Sequence, residues 1–211
     1  VEHHTITTKN VSRETFKKNQ KIFEKHHGLL DTYLGQLLWW NKRINLVSRN
    51  VPRETIMEHI FHSLLICQLE VFQSAETILD AGTGGGLPGL PLAITHPQKQ
   101  FYLNDIVSKK CLATKQMVRK LGVENIQVVD ASIHDVQQNG PFLLISKHAF
   151  KINDLYEMTA HLPWDAIVLL KGKEFKEELS GIDNPLLITS YDLSVAGDFY
   201  KGKTLIKIER S

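Results

Sequence analysis

One stretch concentrates the residue types that can hold a charged nucleoside: Thr77-Ile78-Leu79-Asp80-Ala81-Gly82-Thr83-Gly84-Gly85-Gly86-Leu87-Pro88-Gly89. An apolar run ends in a carboxylate, glycines recur at alternate positions, and a helix is expected to start. Glycine is needed where a turn takes backbone shapes that a Cβ forbids, or where a ligand must approach the backbone closely. Pro88 suits the first turn of the following helix, where its missing N–H has no partner anyway. Two cofactor frames compete for these residues. Gly84-x-Gly86-x-x-Gly89 satisfies the dinucleotide fingerprint, with helix N–H groups offered to a pyrophosphate. Asp80-x-Gly82-x-Gly84-x-Gly86 matches the version used for S-adenosyl-L-methionine, in which the strand-end acid meets the methionine amino group directly or through water. A carboxylate two residues before the first glycine would repel a nearby phosphate, which favours the sulfonium nucleoside over NAD. The plainest alternative is a glycine-rich turn without a ligand.

Two further acids lie where such a nucleoside would extend. Asp105 ends the run Phe101-Tyr102-Leu103-Asn104 and follows Gly82 by 23 positions. An acid at about that spacing can hydrogen-bond both ribose hydroxyls under either cofactor frame; the competing use is as a cap for the helix from Lys109 onward. The next β-rich run leads into Asp130-Ala131-Ser132-Ile133-His134, where Asp130 is placed to accept from an adenine amino group and Ile133 to pack on the ring.

These residues need a scaffold, and the rest of the chain supplies its pattern. From Glu76 onward short β-rich runs (77–80, 100–104, 126–129, 142–146, 166–170) alternate with helical stretches (87–95, 109–121, 152–160). That alternation predicts a Rossmann-like, mostly parallel α/β sheet of about seven strands covered on both faces. The last two strands, 186–194 and 204–208 around a Gly197 to Gly202 turn, predict an antiparallel closing hairpin. Ahead of the sheet, Leu30, Leu34, Leu37 and Leu38 form an amphipathic helical stripe. A helix is expected over 12–27, separated from the stripe at Gly28. Another is expected after Pro52, with Ile56, Ile60, Leu64 and Cys67 on one face. The chain thus reads as a loose N-terminal arm (1–11), a helical cap (12–72) and a methyltransferase domain (73–211).

Composition fits a globular protein of ordinary size: 211 residues, 42% hydrophobic and 23% charged, with a net charge of +2. So small a net charge does not mark a nucleic-acid binder, and any such site must be a local patch. Two isolated cysteines, Cys67 and Cys111, are no disulfide framework and point to a reducing cytoplasm. No apolar run approaches bilayer length, and the polar opening residues lack a signal core.

With the glycine loop in the methyltransferase frame, a wider match emerges. The sequence resembles the bacterial 16S ribosomal RNA guanine-N7 methyltransferases, also called the glucose-inhibited division protein B family. The resemblance rests on Trp40-Asn41-Lys42-Arg43-Ile44-Asn45-Leu46 and His59-Ile60-Phe61-His62-Ser63-Leu64 in the cap. In the sheet it rests on Asp80 to Ala93, with Lys109-Lys110, 121–126, Ser146-Lys147 and Leu170-Lys171-Gly172 in support. It implies a seven-stranded methyltransferase sheet, S-adenosyl-L-methionine as cofactor, and a guanine of 16S ribosomal RNA, free or in the small ribosomal subunit, as substrate. It also implies cofactor contacts at Gly82, Leu87, Ile133, His134 and Lys147. The chain departs from the family at His62, where an aspartate is usual, at Ser132, where an arginine is usual, and at Lys147-His148, where arginine-alanine is usual. Lysine keeps the charge but loses the planar fork of arginine.

Methylation at guanine N7 asks for positioning rather than proton transfer, because that nitrogen's lone pair is free and no proton leaves it. No catalytic acid or base is therefore expected. Basic clusters offer phosphate contacts: Lys109, Lys110, Lys115, Arg119 and Lys120 on one helix, and Lys42, Arg43, Arg49 and Arg53 in the cap. Trp39 and Trp40 adjoin the leucine stripe and are expected as core anchors. His59 and His62 are spaced i, i+3 but have no further ligands in view, so no metal is expected. A monomer is expected. Competing readings are a diverged methyltransferase acting on another RNA or a small molecule, and a non-catalytic cofactor-binding protein associated with RNA.

Overall fold

A computed structural model describes residues 4–48 and 50–211. Its sheet has eight strands: β1 (Thr5–Asn10), β2 (Thr77–Ala81), β3 (Gln100–Asp105), β4 (Ile126–Asp130), β5 (Phe142–Lys147), β6 (Trp164–Gly172), β7 (Leu186–Asp192) and β8 (Lys203–Arg210). Their spatial order is β1-β7-β8-β6-β5-β2-β3-β4. All neighbours run parallel except β8, which lies antiparallel between β6 and β7. The alternating pattern, the Rossmann-like sheet and the closing antiparallel pair are as the sequence predicts.

The N-terminal segment is a correction. Residues 5–10, expected within a loose arm, form β1 and pair with β7 from Thr5↔Leu187 to Asn10↔Asp192. Polar composition hid this strand. It sits at the sheet edge with mostly exposed side chains, where backbone pairing rather than side-chain burial holds it.

The helices are α1 (Arg13–Lys25), α2 (His27–Asn41), α3 (Arg53–Leu64), α4 (Glu70–Ser74), α5 (Gly89–Thr95), α6 (Ser108–Leu121) and α7 (Ile152–Thr159). The break between the first two falls at His26 rather than Gly28, which lies inside the first turn of α2. Ser12 caps α1 by accepting from Thr15 N–H. Gly122 ends α6 in the left-handed conformation at φ +64°. Cys67 stands in a short 3₁₀ turn after α3 and is buried.

Alternate residues of each central strand serve two cores, as the period of a pleated strand requires. On one face Ile78, Phe101, Leu143 and Val168 pack with the cap residues Leu30, Tyr33, Leu34, Leu37, Ile60 and Phe72. On the other, Leu79, Leu144 and Ile167 pack with Ile152, Leu155, Phe175 and Leu179. Strand order reverses between β2 and its two neighbours, β3 and β5, the place where open α/β sheets leave a crevice at the strands' carboxyl ends. No helix among the described residues is long and apolar enough to cross a membrane.

Candidate functional site

The crevice at that reversal point is a cleft of about 460 Å³, within the range of small-molecule sites. Its lining comes from the glycine loop (Gly82 to Gly85, Leu87), the end of β3 (Asn104 to Val107), the loop after β4 (Ser132, Ile133), the end of β5 (Lys147 to Phe150), Met158, Lys110, and Leu46 and Val47 of the cap.

The glycine loop is fixed from every side. Thr83 N–H donates to the Asn104 carbonyl, and the amides of Gly86 and Leu87 donate back to the Thr83 carbonyl. Gly84 N–H donates to Asp105 Oδ2 at 2.9 Å, and its carbonyl accepts from Thr114 at 3.0 Å. The Gly85 carbonyl accepts from the buried Tyr33 hydroxyl at 2.8 Å. Gly82 and Gly84 take φ of +69° and +56°, a region that disfavours other residues. A Cβ on Gly85 would come within 2.5 Å of Leu37, because α2 packs directly on the loop.

Asp80 is fully buried beneath this loop. Its Oδ2 accepts from the Thr83 hydroxyl at 2.7 Å and from Gly89 N–H at 2.9 Å. Burial pushes its carboxyl up to about 7, opposed by those two hydrogen bonds. Asp80 Oδ1 has no partner among the described residues. The side chain does not line the cleft, so a direct contact with a ligand there is not what this geometry offers; it locks the loop onto the start of α5. The same bonds undercut the dinucleotide frame. The N–H groups of Gly86, Leu87 and Gly89 are already taken, the last by a buried acid, so they are not offered to a pyrophosphate.

Asp105 is also buried, with both oxygens engaged: Oδ2 by Gly84 N–H and Oδ1 by Val107 N–H at 2.9 Å. Lys110 approaches Oδ2 at 4.0 Å. Each oxygen keeps a second lone pair, so the acid joins loop to strand and still has acceptor capacity. Asn104 reaches across to the carbonyls of Val129 and Ala131 and holds the loop that carries Ile133. In the cap, Asn41 Oδ1 accepts from the amides of Leu46 and Val47, both at 2.9 Å, and its Nδ2 donates to the Ser48 carbonyl. That is the physical content of the Trp-Asn…Asn-Leu motif: one amide side chain folds the loop that delivers Leu46 and Val47 to the cleft.

Of the residues expected at a cofactor, Gly82, Gly84, Leu87, Asp105, Ile133 and Lys147 share the cleft. Asp80 and Gly86 lie behind it. Asp130 is exposed and accepts from Ser108 at 3.1 Å, and His134 is exposed beside Asp135; neither lines the cleft. Among the expected RNA contacts Lys110 lines the cleft, while Lys109, Lys115, Arg119 and Lys120 are exposed along α6. Lys42 and Arg43 are exposed after α2; Arg49 lies outside the described residues. Trp39 is a correction. It is 47% exposed rather than a core anchor, because Leu30, Tyr33, Leu34 and Leu37 occupy the buried face of α2 and Trp39 falls off it. The Arg43 guanidinium stacks on its ring at 3.5 Å.

Sequence reasoning missed Thr83, Asn104, Asn41 and Tyr33. Thr83 and Asn41 stood within the motifs that carry the family resemblance, but nothing in the sequence gave them these roles. His62 is coupled to Lys147, His59, His148 and Lys203, and burial depresses its pKa well below the usual value.

A family model described as rRNA small subunit methyltransferase G matches residues 26–199. A ribosomal RNA small subunit methyltransferase G from Chlorobium limicola is 30% identical over 204 residues, 92% of this chain and 93% of that protein. The protein of the same name from Chlorobaculum tepidum is 38% identical over 154 residues, 72% of this chain and 71% of that one. Among solved structures, a putative O-methyltransferase from Klebsiella pneumoniae superimposes with a TM-score of 0.56 at 14% identity, covering 85% of this chain and 90% of that one. A human methyltransferase 10 domain containing protein gives 0.52 at 14% identity, covering 92% and 99%. At such identities the two structures speak to the fold alone.

Proposed function

The chain belongs to the rRNA small subunit methyltransferase G family, and from that premise we propose that it transfers a methyl group from S-adenosyl-L-methionine to N7 of a guanine in 16S ribosomal RNA. The observation that carries the reading is the cleft itself: a glycine loop held rigid by Asp80, Asp105, Thr114 and Tyr33, at the point where the strand order reverses.

The residues present fit the cofactor. Gly82 and Gly84, both at positive φ, present backbone to the cleft, and Ala149 and Phe150 pack where a Cβ on Gly82 would stand. Asp105 has lone pairs left for ribose hydroxyls. Ile133, Val107 and Met158 give apolar walls for an adenine ring.

When bound, the cofactor supplies an electrophilic methyl carbon on a sulfonium. The chain then has to bring the guanine edge in line with it and keep water away. Because N7 carries a free lone pair and loses no proton, the site needs no general base, and the reading assigns none. Asp80 is too deeply sealed to act as one. Preorganisation of the loop is the chain's main contribution, since positioning two reactants can supply several kcal/mol of the barrier, on the order of 7–11 in favourable cases.

The test is methyl transfer from radiolabelled cofactor to small ribosomal subunits, naked 16S ribosomal RNA and transfer RNA. Label is expected in the first or second and not in the third. Label in transfer RNA alone would move the substrate elsewhere, and binding of S-adenosylhomocysteine with no label anywhere would leave a cofactor-binding protein without this activity.

A further inference from the structure

Beside the cleft, α3, the end of β5 and the start of β8 bring together a set of side chains that the glycine loop does not account for. The Lys147 ammonium donates to His59 Nδ1 at 3.1 Å, so that nitrogen is unprotonated. Lys203 Nζ donates to the Phe199 carbonyl and lies 3.9 Å from the centroid of the Phe199 ring. That ring meets His59 at 5.0 Å and His62 at 6.3 Å between centroids. His148 follows Lys147, takes a left-handed φ of +52°, and joins it in lining the cleft. Both ring nitrogens of His62 are buried without a partner among the described residues.

The carboxylates that reach this group are committed elsewhere. Asp80 acts on Lys147 from beneath the glycine loop, where it is bound to Thr83 and Gly89. Glu178 acts on His148, but sits 2.5 Å from Lys171 Nζ and accepts the Ile152 amide. Two ammonium groups therefore lie among three imidazoles, and among the described residues neither Lys147 nor Lys203 has a carboxylate at ion-pair distance. Burial and the two lysines keep the imidazoles neutral, and Lys147 brings a positive charge to the cleft wall.

We propose that Lys147 and Lys203, backed by His59 and His148, bind a phosphate of the substrate RNA next to the base that enters the cleft. The inference rests on the reading of the cleft as an RNA methyl-transfer site and names a contact within it. A phosphodiester is the anion this group lacks: its oxygens accept charge-assisted hydrogen bonds from both ammonium groups, and phosphate contacts fix register without reading sequence. The cofactor's carboxylate is the other anion within reach of Lys147. Lys203 is not among the residues lining the cleft, and so it separates the two sources. Burial, with the neighbouring cations, holds Lys147 down to about 8, His59 to about 3 and His148 to about 4. An arriving phosphate would raise all three, so affinity should weaken as pH rises through about 8 and Lys147 sheds its proton.

The experiment compares the full chain with Lys203→Gln and Lys203→Arg, each saturated with S-adenosylhomocysteine, binding unmodified 16S ribosomal RNA transcript across a salt series. The expected result for Lys203→Gln is an RNA affinity lowered roughly tenfold, the weight of one charge-assisted hydrogen bond, and a salt slope reduced by about one. Its affinity for S-adenosylhomocysteine should match wild type, and Lys203→Arg should bind RNA like wild type. An unchanged RNA affinity and salt slope in Lys203→Gln would overturn the proposal. So would a loss confined to S-adenosylhomocysteine, which would assign the charge to the cofactor. A wild-type protein that labels no RNA, together with weakened RNA binding by Lys203→Gln, would sink the methyl-transfer reading and still support the phosphate site.

Discussion

Asp80 shows how a residue can be found by its sequence position and still do something other than expected. The spacing before Gly82 marked it as the acid of a cofactor loop, whereas its visible bonds run to Thr83 and Gly89. The difference is one of depth, which spacing along a strand does not encode. Asp105 was equally legible, and its bond to Gly84 was not, because that partner comes from a different strand-to-helix turn. Burial raises the Asp80 carboxyl to about 7, from an ordinary value near ~3.9 in an unfolded chain. The folded state thus binds this proton more tightly than the unfolded state. Its contribution to stability is complete below about pH 4 and is lost as pH rises through about 7. Denaturant unfolding of wild type between pH 5 and 8 should show that decline, and Asp80→Asn should flatten it. A variant that retains the wild-type slope would place the titration elsewhere.

Elements were legible where a period was strong. The leucine stripe of α2 and the apolar strands of the sheet follow from side chains that repeat with helix or strand spacing. β1 was not, since an edge strand of threonines, lysine and asparagine with Ile6 as its one apolar side chain has no apolar face to repeat. Nor could periodicity reveal that α2 lies on the glycine loop. That contact depends on Leu37 against Gly85 and on the Tyr33 hydroxyl, both set by tertiary packing. Tyr33→Phe removes the hydroxyl and strands the buried Gly85 carbonyl. A stability loss of about 1–3 kcal/mol is expected by thermal or chemical unfolding, together with weaker binding of S-adenosylhomocysteine by calorimetry. Lost stability with intact binding would mean that the loop keeps its shape without the cap.

At the scale of the whole molecule, cap and sheet share a core: Leu30, Leu34 and Leu37 pack with Leu90, Leu103 and Ile78. The division at residue 72, natural from the change of pattern, therefore does not divide the packing. A fragment of residues 73–211 loses the cap's side of that core and the partner strand of β7. It is expected to lack the near-ultraviolet circular dichroism and cooperative unfolding of the full chain, and a cooperative fragment would show the sheet to be self-sufficient. The RNA substrate belongs to this scale too, since no single residue specifies it. Nucleoside mass spectrometry of unmodified 16S ribosomal RNA, incubated with the protein and isotopically labelled S-adenosyl-L-methionine, tests the account most directly. Label is expected in 7-methylguanosine and in no other nucleoside. Label in a different nucleoside, or none while the protein demonstrably binds the cofactor, would contradict it.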